Sequence, residues 1–82
     1  MNTFTINGEQ FTEESLTAIL RQQITQSPEY SHFEDAEIEF CYQNKAGDIF
    51  FYVSNDDGED MMVRVSQKGL IYWDWTGQVM DD

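Results

Sequence analysis

Ile49-Phe50-Phe51-Tyr52-Val53-Ser54-Asn55-Asp56-Asp57-Gly58-Glu59-Asp60-Met61-Met62-Val63-Arg64-Val65 reads as two strands and a turn, and this reading decides the fold. Ile49, Phe51 and Val53 alternate with Phe50, Tyr52 and Ser54; Met61, Val63 and Val65 alternate with Asp60, Met62 and Arg64. Between them Asp56-Asp57-Gly58 has the form of a three-residue hairpin loop with Gly in the left-handed position. That loop pairs Val53 with Met61 and Phe51 with Val63, so both apolar sets fall on one face. A slip of one residue would turn a whole strand over.

The pattern extends both ways from this hairpin. Upstream, Ala36, Ile38, Phe40 and Tyr42 alternate with Glu37, Glu39 and Cys41. A four-residue loop, Asn44-Lys45-Ala46-Gly47, would pair Tyr42 with Ile49, Phe40 with Phe51 and Ile38 with Val53. Downstream, Ile71, Trp73 and Trp75 alternate with Leu70, Tyr72 and Asp74. A loop at Gln67-Lys68-Gly69 pairs Val65 with Ile71, Val63 with Trp73 and Met61 with Trp75, which places both Trp residues in the core phase. The expectation is an antiparallel four-stranded meander. No internal repeat or low-complexity segment is evident.

Two elements precede the sheet. Thr3-Phe4-Thr5-Ile6 and Glu9-Gln10-Phe11 form a short hairpin about Asn7-Gly8, a pair suited to a type I′ turn. Thr12 then caps a helix, with Glu13 and Glu14 in its first turn and Phe11 and Leu16 at the spacing of a hydrophobic staple. Leu16, Ile19, Leu20 and Ile24 make one apolar stripe, and Pro28 ends the helix near Ser27. The fold class expected is α+β, a single small acidic domain over residues 1–82, with the helix on the apolar face of the sheet.

Charge narrows the function. Sixteen acidic residues (Asp+Glu 16) face four basic ones, a formal net charge of −12. An apolar fraction of 40% with 15% aromatics is too rich in core-formers for a disordered acidic tail. Direct partnership with nucleic acid or an anionic membrane is disfavoured, since both would repel the chain. No signal-like N-terminus or long apolar run is visible, and the lone Cys41 excludes an internal disulfide, in keeping with a cytoplasmic protein.

Alternate turns of a meander lie at opposite ends of the sheet. Lys45 and Lys68 thus share one end. Glu34 and Asp35, the turn residues Asp56, Asp57, Glu59 and Asp60, and the tail residues Asp81 and Asp82 collect at the other. The outer face should carry three rows: Cys41, Phe50, Arg64, Tyr72; then Glu39, Tyr52, Met62, Asp74; then Glu37, Ser54, Asp60, Thr76. Arg64 would lie between the rings of Phe50 and Tyr72. Tyr52 and Met62, rimmed by acids, have the makings of a protein-binding patch. Carboxylates two residues apart on a strand, as Glu37 and Glu39, stand about 6.8 Å apart, on the scale of successive phosphates in a nucleic acid strand.

Blander readings compete. Acidic turns are often only solvated, and the outer aromatic face (Phe50, Tyr52, Tyr72) could be covered by the N-terminal hairpin or by a second copy. Asn55-Asp56-Asp57-Gly58-Glu59-Asp60 lacks the ligand spacing and distal Glu of an EF-hand loop. His32, the only histidine, and Cys41 lack an orienting third group for catalysis, and His32 fits a partly solvated loop after the helix. No catalytic, cofactor or metal residues are assigned, and no enzyme is expected.

The residues assigned to partner binding are Glu34, Asp35, Glu37, Glu39, Tyr52, Asp56, Asp57, Glu59, Asp60, Met62 and Asp74. The function expected is a non-catalytic acidic inhibitor of a basic nucleic-acid-handling protein, such as a nuclease, working as a monomer or homodimer. It has the general type of phage counter-defence proteins (anti-CRISPR or anti-restriction) that mimic nucleic acid. The alternatives are an immunity protein neutralising a bacterial nuclease toxin and a homodimeric interaction domain.

Overall fold

In the computed structural model, which describes residues 3–76, the chain begins with β1 (Thr3–Ile6) and β2 (Glu9–Thr12) paired antiparallel, Phe4 opposite Phe11. Asn7 and Gly8 turn with φ of 51° and 83°, the two positive values that a type I′ turn requires.

Thr12 caps α1 (Glu13–Gln26): its Oγ1 accepts the Ser15 N–H at 3.0 Å, and Ser15 Oγ accepts the Thr12 N–H at 2.9 Å. This is a capping box with Ser in the place usually held by Glu. Leu16, Leu20 and Ile24 are buried and Ile19 half-buried, the stripe expected from the spacing. Pro28, whose fixed φ suits a first helical position, opens a short 3-10 segment, Pro28–Phe33, broken at Tyr30. His32 therefore lies in a helical turn rather than a loop, next to the buried Phe33.

The main sheet has the order β3 (Glu37–Gln43), β4 (Ile49–Ser54), β5 (Asp60–Val65), β6 (Ile71–Tyr72), all antiparallel. Its inner face carries Ile49, Phe51, Val53, Met61, Val63 and Val65. These pack with the helix stripe and with Phe4 and Ile6 of the hairpin into one core. The hairpin therefore lies on the inner face: the Phe4 ring is 5.2 Å from that of Phe40, and the Asn7 N–H donates to the Gln67 carbonyl at 2.8 Å. The α+β architecture is the one read from the alternation.

Three details differ. First, the Asn44 loop is not a four-residue loop. Asn44 pairs with Asp48 just as Asn55 pairs with Glu59 and Ser66 with Leu70, and Gly47, Gly58 and Gly69 each donate back to the first residue of their turn. One turn thus recurs at positions 44, 55 and 66, a repeat of 11 residues that the dissimilar strand sequences conceal. The shorter loop alone would throw β3 out of phase. A bulge between Phe40 and Tyr42 absorbs the odd residue, so Phe40 and Ile38 keep their expected partners Phe51 and Val53. Tyr42 instead pairs with Phe50 and moves to the outer face, its ring 5.9 Å from the Phe50 ring.

Second, β6 stops at Tyr72. Asp74 takes a positive φ of 53°, which interrupts the alternation. Trp73 remains half-buried against the core, but Trp75 crosses to the outer face, where its backbone N–H donates to the Met62 carbonyl at 2.7 Å. The expected pairing of Met61 with Trp75 does not form. Third, Phe50 faces outward but is only 1% exposed, packed within the chain itself rather than beneath the hairpin.

Candidate functional site

The turn at Asn55 is built from one side chain. Asn55 Oδ1 accepts the N–H groups of Asp57 and Glu59 at 3.1 and 2.9 Å, holding the loop in its hairpin form. Its Nδ2 donates to the His32 carbonyl at 3.0 Å and to Glu59 Oε1 at 3.3 Å. Asn55 thereby fastens the acidic turn to the 3-10 segment that leads into Glu34 and Asp35. The result is an open cleft lined by Ser31, His32, Glu34, Asp35, Asn55, Asp56 and Asp57. A second cleft on the other side of His32 is lined in part by Tyr30, Glu59, Asp60 and Asp74.

Seven of the assigned residues therefore flank two adjoining clefts about His32. Glu34, Asp35, Asp56, Asp57, Glu59, Asp60 and Asp74 are all exposed. Asp74 was expected beside Met62 on the outer face, but the turn at Trp73–Asp74 carries it into the second cleft. Within the cluster His32 Nε2 lies 3.9 Å from Glu59 Oε2, and Tyr52 donates to Asp60 Oδ2 at 2.7 Å. Asp81 and Asp82 lie outside the described residues.

The remaining assigned residues continue the pole onto the outer face. Glu37 is opposite Ser54, and Ser54 opposite Asp60; Glu39 is opposite Tyr52, and Tyr52 opposite Met62. Glu37 and Glu39 are exposed, Tyr52 and Met62 half-buried. These two rows match the sequence reading as far as β5. The Tyr52 hydroxyl has a raised pKa. Its hydrogen bond to Asp60 is the main cause, followed by partial desolvation and then by the negative charges of Asp60, Cys41 and Glu39. The Cys41 thiol is raised as well, by loss of hydration and by Glu39.

The far end of the sheet is arranged otherwise. Gln67 donates to the Gly47 carbonyl, bringing the turns that carry Lys45 and Lys68 together. Gly47, with φ of +93°, is pressed so close to Gln67 that an added Cβ would stand 2.7 Å from its side chain. Asp48, only 6% exposed, is ion-paired with Arg64 through Arg64 Nε and Nη2 and also accepts the Gln67 N–H at 3.2 Å. The Arg64 guanidinium lies 4.6 Å from the Trp75 ring centroid and 5.5 Å from that of Tyr72. The stacking expected from the sequence is present, but Trp75 rather than Phe50 is the second ring.

Sequence reasoning passed over Asp48 and, having weighed Asn55 and His32 only for calcium and catalysis, gave them no part in the site. The recurrence of Asn or Ser three residues before Gly at an interval of 11 was the available signal for Asn55. Nothing in the sequence pointed to the fastening of Asn55 on His32, which spans 23 residues. Cys41 lies toward the Gly47 end and His32 at the opposite one, so the arrangement does not join them. Among the described residues no three His, Cys, Asp or Glu side chains converge as metal ligands, and no helix is long and apolar enough to cross a membrane. No protein family, curated protein or solved structure matches this chain.

Proposed function

We propose that this protein is a non-catalytic acidic inhibitor that docks its acidic pole on a basic, nucleic-acid-handling protein and covers the surface where nucleic acid binds. The observation that carries the reading is the pair of clefts around His32, where seven exposed carboxylates from three separate chain segments are gathered, two of those segments fastened together by Asn55. A merely soluble surface has no need of such gathering, because dispersed like charges repel less. Carboxylates held on a scaffold can meet Lys and Arg side chains that otherwise hold phosphates, and the concentrated field speeds encounter with them. This fits a counter-defence inhibitor of the anti-CRISPR or anti-restriction type.

The test is a comparison of the parent with a variant carrying Asp56→Asn, Asp57→Asn, Glu59→Gln and Asp60→Asn, each immobilised and offered lysate of the native host. The captured protein is then purified and its binding to DNA and RNA measured as inhibitor is added. The parent is expected to displace nucleic acid from it. The on-rate should fall steeply between 0.1 and 1 M salt, as the screening length shrinks from about 10 Å to about 3 Å. The variant is expected to lose most of this activity. Equal capture and displacement by parent and variant in low salt would overturn the reading.

A further inference from the structure

The sheet has two outer strands, and they differ. β6 is two residues long, whereas β3 runs for seven and has a neighbour, β4, on one side only. Backbone parity shows what its other side offers. In an antiparallel ladder, successive residues of an inner strand bond to opposite neighbours. Asn55 bonds Glu59 across the β4–β5 turn, so Val53 and Phe51 also face β5, and Ser54 and Tyr52 face β3. Glu37 and Glu39, the partners of Ser54 and Tyr52, thus direct their backbone groups to β4. The N–H and C=O of Ile38 and Phe40 point away from the sheet.

The side chains along this edge are as selective as the backbone. Glu37 and Glu39 are exposed on the outer face. On the inner face Ile38 and Phe40 are only half-buried, while Val53 and Phe51 directly across from them are 0% exposed. We infer that the edge of β3 over residues 37–40 accepts an extended segment of a partner, in which Lys or Arg alternates with an apolar residue. The basic side chains would lie beside Glu37 and Glu39, the apolar ones would finish covering Ile38 and Phe40, and the backbone would continue the ladder. The bulge at Cys41 ends the pairable stretch.

A second copy of the chain is the wrong occupant. Each carries a net charge of −12, and an antiparallel pairing of β3 with itself about Phe40 would set Glu39 diagonally against Glu39. The same carboxylates that invite a basic strand reject this one, a familiar protection for an open edge. The inference rests on the basic-partner reading above only for the sign of the charge; the edge is a surface distinct from the His32 clefts.

A capped peptide of alternating Lys and Val tests it, followed by amide exchange and chemical shifts of the whole protein. The amides of Ile38 and Phe40 are expected to become protected. Affinity should fall roughly tenfold or more for a peptide of the same composition with its Lys and Val in separate blocks, and likewise for the alternating peptide N-methylated along its pairing edge. The variant Glu37→Lys with Glu39→Lys should lose the Lys–Val peptide and gain one of alternating Glu and Val. Equal binding of the N-methylated peptide would overturn the inference, as would shifts confined to Asp56 and Asp57, which would leave the acidic pole standing as the basic-ligand site. So would sedimentation showing that the parent pairs with itself along β3.

Discussion

The turn at Asn44 and the turn at Asn55 share one backbone and opposite electrostatics. In each, an Asn opens the loop, a Gly closes it, and the Asn side chain accepts a following N–H. Beyond Gly47 comes Asp48, buried, ion-paired with Arg64 and bonded to Gln67. Beyond Gly58 comes Glu59, exposed, in the company of Asp56, Asp57 and Asp60. One carboxylate is consumed in holding two turns and a strand together, and the others are held out to solvent. Since the backbone is the same, the acidity of the Asn55 end is not a requirement of the turn, and a role outside the fold is the economical account of it.

Substitution at equivalent places should expose this difference most clearly. Asp48→Ala leaves the Arg64 guanidinium without its carboxylate and the Gln67 N–H without its acceptor, and is expected to destabilise by about 3 kcal/mol, as when one partner of a buried pair is removed. Asp56→Ala with Asp57→Ala should change stability by no more than about 0.5 kcal/mol, or raise it by relieving repulsion. Urea unfolding of both variants in low salt checks the pair. Equal losses would mean that the acidic turn is structural after all, and would undercut the functional reading of the pole.

Asn55→Ala should have an intermediate effect, about 1–2 kcal/mol, because it removes bonds that are individually modest and solvent-exposed. Its signature is local: amide exchange should quicken at Asp57 and Glu59, and at the 3-10 segment whose His32 carbonyl loses its donor. If exchange quickens only within the turn, the clefts are not held together by Asn55.

The two ends also differ in how far they could be read in advance. The strands, their inner-face register over β4 and β5, the helix cap and the gathering of acids at one end all follow from period-2 alternation and turn placement, which are local signals. The bulge at Cys41 was hidden because a four-residue loop and a three-residue loop plus a bulge place Phe40 and Ile38 identically. They disagree only beyond Phe40, where Tyr42 rather than Cys41 comes to oppose Phe50, and the amphipathic Tyr42 ring suits either face. Trp75 was misplaced because a non-Gly residue at positive φ, Asp74, ended the alternation. The Asp48–Arg64 pair and the Asn55–His32 bond join residues 16 and 23 apart in sequence, where polar residues carry no periodicity to betray the contact.

The smallest effect tests a residue that belongs to both regimes. Asp60 is exposed with its neighbours at the pole, yet it accepts the Tyr52 hydroxyl and so is partly engaged by the fold. That bond exists only for the protonated phenol, which is why the pKa of Tyr52 is raised in the folded protein. A folded value above the unfolded one, about 10, means that the bond's contribution is complete below about pH 10 and is lost as pH climbs through the folded value. Tyr30 is raised too, by desolvation first and then by Glu29 and Asp74, so tyrosinate absorbance should show late titration from Tyr30 and Tyr52. Asp60→Ala should return one of them to the ordinary range and leave the other late, with little change in unfolding at neutral pH. If both stay late, the Tyr52–Asp60 bond does not govern that titration, and Asp60 belongs wholly with the solvent-facing acids of the pole. If unfolding at neutral pH changes as much as in Asp48→Ala, Asp60 belongs with the structural carboxylates instead, and the boundary between the two ends lies nearer the Asn55 turn.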